Sequence, residues 1–420
     1  MSERAIATVD YDPRSPEHIA NPFPIFAELR RRDPVHWSDA LGGWVLTRYR
    51  DVRQVLSDAR FSADRITPFR DHLRPDARAQ VAELLKTLGL WAVFNDPPAH
   101  TRRRSLLNKA FTPRAVMALR PLIERIVAHL ISRVAGQGEM DLIAAFAYPL
   151  PASVIAGMIG VPIEDLDRFK TWSDEIASFV GSALATPDKR ERGERGAREM
   201  SAYFRGIIAD HRKRPREDIL SGLLAAEEAG TGLSEDELVA SCILLLFAGH
   251  ETTTNLVGNG MLALLRHSEA LAALRGDLAL APSAVEEMLR YDGPTQAMTR
   301  IALEDVRLDE ASPLIRTGDR VFALLNAANR DPQVFADPER FDVARGDGRH
   351  LSFGFGIHFC LGAPLARLEG QIAVKALMER LPDLALAIDE PQWSDSFVLR
   401  GVKSLPVRFR PASPDSPRAS

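Results

Sequence analysis

The chain is poor in cysteine, with only Cys242 and Cys360 among 420 residues. One bridge at most rules out a disulfide-built secreted scaffold, and a chain this long buries enough surface to need none. Long hydrophobic runs are missing too. The greasiest stretch, Leu238 to Gly249, is 12 residues and already contains Ser241, whereas crossing a bilayer takes ~20. The amino terminus, Met1 to Pro13, has no apolar core of the signal-peptide kind. Neither charge sign dominates: 53 Lys and Arg stand against 57 Asp and Glu, so no global basic field invites nucleic acid. Flavin and nicotinamide fingerprints and clustered iron–sulfur cysteines are absent. These absences lead to the expectation of a cytoplasmic protein with no membrane anchor and no nucleic-acid partner.

What is present reads as mainly α with a minor β-sheet region. Val35-His36-Trp37 and Trp44-Val45-Leu46-Thr47 flank the turn signal Gly42-Gly43, and a short helix around Val52 to Leu56 follows. From Pro98 to about Leu289 the periodicity is mainly helical, with breaks at Gly136/Gly138, Pro149/Pro151, Pro187 and Pro215. Short strands are expected again at 306–308, 321–325, 384–388 and 407–409. Charged runs at 191–199 and 211–216 read as solvated faces or helix ends. The tail, 411–420, is rich in Pro and Ser and reads as disordered.

Ser234 followed by Glu237 is a capping-box signature that opens a helical run to about His267. Its first half is apolar nearly all round and should be buried. The polar patch Gly249-His250-Glu251-Thr252-Thr253-Thr254 then interrupts it. Glycine and threonine are poor helix formers. The patch is either a kink where threonine hydroxyls bond back to the backbone, or a gap over a bound ligand with an acid and an alcohol beside it.

A second anomaly is Phe353-Gly354-Phe355-Gly356-Ile357-His358-Phe359-Cys360-Leu361-Gly362, just ahead of an amphipathic helix whose stripe runs through Leu361, Leu365, Leu368 and Ile372. Cys360 is therefore expected at a helix amino terminus, where N–H groups lower a thiol pKa. Cys242, inside the apolar helix, reads as a small buried hydrophobe.

Phe353, Gly356, Cys360 and Gly362 match F-x-x-G-x-x-x-C-x-G, the haem-ligand signature of the cytochrome P-450 monooxygenases. The chain resembles that family, in its soluble bacterial branch, over nearly its whole length. Ala248-Gly249-His250-Glu251-Thr252 resembles the oxygen-binding groove of the family's long central helix, and Glu287-Met288-Leu289-Arg290 its E-x-x-R. Pro338-Glu339-Arg340-Phe341 resembles the stretch whose arginine completes a triad with that pair, and His100-Thr101-Arg102-Arg103-Arg104 the haem-propionate segment. E-x-x-R by itself is weak, since it recurs at Glu28/Arg31 and Glu304/Arg307.

The resemblance implies a P-450 fold with haem b held between the central helix and the cysteine-loop helix. It would occupy a single haem domain over 1–410, whose small β-rich region comes from 35–61, 301–325 and the C-terminal strands. Cys360 would be the thiolate ligand, with Phe353 and Gly354 beneath the haem and Gly362 beside it. His100, Arg104, Arg300 and His358 would hold the propionates. Gly249, with Ala248, would leave room for dioxygen, while Glu251 and Thr252 meter protons. Glu287, Arg290 and Arg340 would form the structural triad. The implied activity is insertion of one oxygen atom from O2 into a lipophilic small molecule, by hydroxylation or epoxidation. Electrons would come from a ferredoxin and its NAD(P)H-dependent reductase, steered by Arg102, Arg103, Lys109 and Arg367; these residues are equally suited to solubilising the surface. The substrate pocket is expected from Leu90, Trp91 and Val93, from Leu244 and Ala248, and from Thr295, Gln296, Ala297 and Met298. Phe397 and Val398 would complete it, with Thr295 and Gln296 as its polar handles. Two other readings stay open: a haem-thiolate sensor without turnover, and a haem-free enzyme using Cys360 as nucleophile with His358 as its base.

Overall fold

The computed structural model describes residues 9–108, 111–180, 187–216, 218–228 and 232–411. The expected tail therefore lies outside the described residues from 412 onward, as does Lys109. Eight short strands form two sheets: β1 (Val35–Ser38), β2 (Gly43–Leu46), β3 (Phe61–Ser62), β4 (Glu139–Asp141), β5 (Ala297–Ala302), β6 (Arg320–Leu324), β7 (Ala385–Leu386) and β8 (Pro406–Arg408). The larger sheet has the order β1-β2-β6-β5-β3, antiparallel except for the parallel pair β2–β6; the smaller is β4-β8-β7. Seven helices matter here: α1 (Ala99–Asn108), α2 (Pro149–Met158), α3 (Leu166–Val180), α4 (Pro187–Lys213), α5 (Glu235–Arg266), α6 (Ala281–Tyr291) and α7 (Ala363–Arg380).

Most sheet elements lie where alternation and turn chemistry put them. The β1–β2 turn has Gly42 at φ +57°, and a Cβ on Gly43 would sit 2.7 Å from Arg320 O, so only glycine lets β2 approach β6. The expected strand at 306–308 is reduced to one bridge, Val306 to Ile315. Two strands were not expected: β4, only three residues long, and β5, where Ala297, Thr299, Arg300 and Ala302 are all buried, so burial on both faces hides the period of two that would mark it. The charged run 191–199 lies in the first half of α4 and presents a solvated face, with Glu191, Arg192, Arg195, Arg198 and Glu199 exposed, as expected. His211, expected on a solvated face, is buried and hydrogen-bonded to Asp218 at 2.8 Å.

The central helix α5 begins as its capping box dictates. Ser234 Oγ accepts from Glu237 N, and Ser234 N donates to Glu237 Oε2 at 3.0 Å. Its 32 residues span ~48 Å, and it packs against α2, α4, α6 and α7. Cys242 is buried in its first half, and burial pushes that thiol up to about 12, as suits core packing. Arg102 and Arg103 of α1 both bind Glu237, Arg103 Nε at 2.9 Å, so α1 is tied to the start of α5.

Behind α5 lies a buried ionic knot. Arg290 donates to both oxygens of Glu287, at 2.7 and 2.8 Å, and to the carbonyls of Asn329 and Pro338. The third arginine is not Arg340. Its side chain is exposed and only its carbonyl joins the knot, accepting from Arg290 at 3.1 Å. Arg345 takes the place instead, reaching Glu287 Oε2 at 3.1 Å while also donating to the carbonyls of Ala336, Asp337 and Arg340. The chain turns after Phe341, and Asp342 N donates to Glu287 at 2.8 Å, which swings the later arginine inward. Arg345→Ala should cost about 1.5–3 kcal/mol of stability in a denaturant titration, since Glu287 keeps Arg290 as a partner. Arg340→Ala should stay within about 0.5 kcal/mol. Equal losses in the two variants would overturn the reassignment.

Candidate functional site

The segment 353–362 is a tight loop closed on itself. Cys360 N donates to Phe353 O at 2.9 Å and Gly354 N to Leu351 O at 2.7 Å. Gly354 and Gly356 have φ of +72° and +75°, and a Cβ on Gly356 would lie 2.9 Å from Leu56 O. Glycine is thus required where this loop packs on the short helix Tyr49–Ser57. Gly362 caps α7, and Cys360 stands just ahead of its free N–H groups. Burial nevertheless pushes the Cys360 thiol up, and the N–H groups of Gly362 and Ala363, with Arg104 and Arg367, oppose that shift without overcoming it. The lowered pKa expected from the helix terminus alone is therefore corrected: desolvation of the anion outweighs the dipole. Phe353 is buried beside the thiol, with the Arg367 guanidinium 4.5 Å from its ring.

Cys360, Phe353 and Gly362 line one deep cavity, together with Leu365 and Ala366 of α7. Gly354 does not reach it; a Cβ there would meet Met298 at 3.3 Å. Across the cavity stand Leu244, Ala248, Gly249 and Thr252 of α5. Thr252 Oγ donates to Ala248 O at 2.8 Å, so the bond back to the helix and the position beside a ligand site coexist. Gly249 contributes backbone only. A Cβ there would lie 3.1 Å from Ile155 of α2, which also lines the cavity, so close helix packing favours glycine at this position too. Glu251 faces away from the cavity, toward α3. Burial pushes its carboxyl up to about 7, Asp174 adds to this and Lys170 opposes it. Its Oε2 is buried without a partner, near the ion pair that Lys170 and Asp174 make at 2.6 Å.

One edge of the cavity is basic. His100 and Arg104 come from α1, Arg300 from β5, His358 from the cysteine loop, and Arg65 from the turn after β3. The His100 and His358 rings are 4.3 Å apart. Arg104 donates to Asn108 Oδ1 and to Phe359 O, whereas His100 Nδ1 and Arg300 Nη2 are buried with no acceptor. Burial, then Arg300, His100 and Arg104, push His358 down to about 3, and burial lowers Arg300 to about 10. A histidine that weakly basic is no general base, which removes His358 as the activator of a nucleophilic Cys360. Orphaned donors and mutually repelling cations in a desolvated wall fit a ligand with more than one carboxylate.

The remaining wall is apolar. Trp91, Val93, Thr295, Ala297, Met298 and Val398 line it as expected, with Phe94, Phe247, Leu256 and Leu399 added. Three expected residues do not. Leu90 packs into the core, Gln296 is held by its Nε2 donating to Phe397 O at 3.2 Å, and Phe397 packs edge-on against Phe322 at 5.5 Å. Sequence reasoning also missed Glu369 of α7, buried in the cavity wall with Oε2 unpartnered and pushed up to about 8 by burial. Arg65 was missed as well. A glutamate on an otherwise apolar helical stripe was the available signal for the former; the latter had none.

The family model described as Cytochrome P450 matches residues 45–382. The chain is 42% identical over 403 residues to Cytochrome P450 monooxygenase PikC of Streptomyces venezuelae, covering 94% of this chain and 92% of that protein. It is 39% identical over 398 residues to 6-deoxyerythronolide B hydroxylase of Saccharopolyspora erythraea, covering 91% and 95%. The crystal structure of P450BioI in complex with hexadec-9Z-enoic acid ligated Acyl Carrier Protein superposes with a TM-score of 0.87 at 39% identity, over 94% of this chain and 100% of that one. Matches that run nearly end to end, on a chain whose cysteine loop faces a long central helix across one cavity, establish that this protein belongs to the cytochrome P450 family.

Proposed function

We propose that this P450 monooxygenase hydroxylates or epoxidises a lipophilic small molecule, in a single haem-centred body built from residues 1–410, with haem b in the cavity bounded by Cys360 and Thr252. The observation that carries this is the basic edge with its orphaned donors, His100 Nδ1 and Arg300 Nη2, lying between those two residues. Two propionates satisfy that edge, with Cys360 as the thiolate ligand. When bound, haem with a thiolate ligand supplies dioxygen activation, the sulfur donating electron density that favours O–O cleavage.

The chain's own residues do the rest. Gly362 and Ala363 N–H groups hydrogen-bond the sulfur, favouring its ionised form against the cost of burial and limiting its reactivity as a nucleophile. Phe353 keeps water from that side. Thr252, already donating to Ala248 O, keeps its lone pairs to accept a proton from a neighbour. Glu251, poised near neutrality, moves protons between the surface pair Lys170–Asp174 and the alcohol. Metering matters because unlimited protonation would release reduced oxygen rather than product.

The substrate meets Trp91, whose Nε1 is buried without a partner, and Thr295. With Gln296 committed to Phe397 O, Trp91 Nε1 and the Thr295 hydroxyl are donors on this wall, which suits a lipophile bearing a carbonyl or ether oxygen. The two named relatives, a monooxygenase and a hydroxylase, agree with that class. Electrons come from a ferredoxin and its NAD(P)H-dependent reductase in the cytoplasm. Arg102 and Arg103 are bound to Glu237, and Arg367 to Glu286 at 2.7 Å, so the contact with the partner falls to the exposed Ile357 and Phe359 beside Cys360. No helix among the described residues is long and apolar enough to cross a membrane.

The class is tested by the carbon monoxide spectrum of the reduced protein, which separates thiolate from histidine ligation. Thr252→Ala should consume oxygen and reductant near the wild-type rate while product per reductant falls several-fold; tight coupling in that variant would sink the alcohol's role. Product yield should fall as pH rises through about 7, because Glu251 ionises there and loses the proton it donates. Glu251→Gln should lack that limb. A profile unchanged by the substitution would assign the limb to another group.

A further inference from the structure

Arg65 is a cation that nothing among the described residues neutralises. It follows β3, lines the cavity, and lays its guanidinium 4.4 Å from the centre of the Phe94 ring. Phe94 stacks on Trp91 at 5.8 Å and 21°, and Trp91 meets Phe247 of α5 at 5.2 Å. The adjacent carboxylates are committed elsewhere. Asp64 Oδ1 accepts the N–H groups of Ile66 and Thr67, at 3.0 and 2.9 Å. Asp96 accepts from the Ser62 hydroxyl and, at 3.0 Å, from Ala63 N. Among the described residues no carboxylate pairs with Arg65, and the charged group it feels is a second guanidinium, Arg300. Burial, reinforced by Arg300, lowers Arg65 to about 10.

Two guanidinium groups lining one desolvated wall repel; Asp96 offsets the charge of Arg300, which leaves Arg65 as the cation in want of an anion. A small planar anion on an otherwise apolar body suits the place, because the Phe94 ring lies against Arg65 and continues into the Trp91–Phe247 wall. A carboxylate meets both conditions and takes a guanidinium's paired N–H groups bidentately. Arg104 cannot substitute, since its Nε and Nη2 already serve Asn108 and Phe359 O.

We propose that Arg65, with Arg300, binds a carboxylate at the border between the basic edge and the Trp91–Phe94 wall. This rests on the haem reading of the cavity. The carboxylate belongs either to a haem propionate or to an acidic lipophile, and the chemistry of recognition is the same. With Phe94 between Arg65 and Trp91, occupancy would also fix the aromatic wall.

The test uses the haem-loaded protein as wild type, Arg65→Ala and Arg65→Lys. Haem transfer to excess apomyoglobin reads the propionate arm. Spin-state titration with palmitate against methyl palmitate reads the substrate arm. Arg65→Ala should speed haem loss about tenfold or more if the carboxylate is a propionate, or weaken palmitate alone about tenfold or more if it is the lipophile's. Arg65→Lys, which keeps the charge without the fork, should fall between, and it stands in for the alanine variant if that fails to load haem. Haem retention and the palmitate-to-ester ratio both within about twofold of wild type would overturn the proposal. The reduced carbon monoxide spectrum of the wild type keeps this separate: its lacking a thiolate-type band would remove the haem-thiolate reading itself.

Discussion

Positive charge held inside an apolar cavity is the constraint from which the rest of the structure follows. Arg65, Arg104 and Arg300 enter the wall from three different elements, and His100 and His358 stack beside them. None of the elements that carry them is a sequence neighbour of another. Bringing them together costs desolvation and repulsion that the chain leaves uncompensated, so the edge is built for anions from outside.

Holding such an edge in place needs rigid supports. Arg300 sits on β5 opposite Val321 of β6, in a sheet whose closest approach depends on Gly43. Helix α1 is tied to the capping-box glutamate of α5 through Arg102 and Arg103. The same Glu237 therefore starts the central helix and positions the histidine and arginine of the cavity edge. Behind α6, the Glu287–Arg290–Arg345 knot fixes the loop that leads to the cysteine segment, with Ser352 Oγ bonded to Leu289 O at 2.6 Å. Polar links thus run continuously from one wall to the other, each satisfied within the fold.

Legibility differed by the range of the interaction. Ser234 and Glu237 are three residues apart, so the start of α5 was readable, as were Cys360 and the glycines of its loop. Arg340 was misassigned because its motif marks a stretch of chain, whereas the ion pair depends on which arginine the following turn brings inward. Gln296 looked like a ligand handle, yet the C-terminal segment supplies Phe397 O as its partner. Gly249 was legible as an interruption of the helix, but that it also packs close to Ile155 of α2 was not. Arg65 carried no local signal at all, lying in a short turn with no motif around it.

By itself the sequence determined the mainly α architecture with its small sheets, the capped central helix, the cysteine at a helix amino terminus and the acid–alcohol patch opposite it. Each of these is written in residues within a turn or two of one another, where propensity, capping and periodicity act. Only the tertiary structure decided which arginine completes the knot, which side chains reach the cavity, and which carboxyls and cations are left unpaired there. Those outcomes depend on desolvation and on partners hundreds of residues away, and neither acts on a side chain until the chain has folded around it.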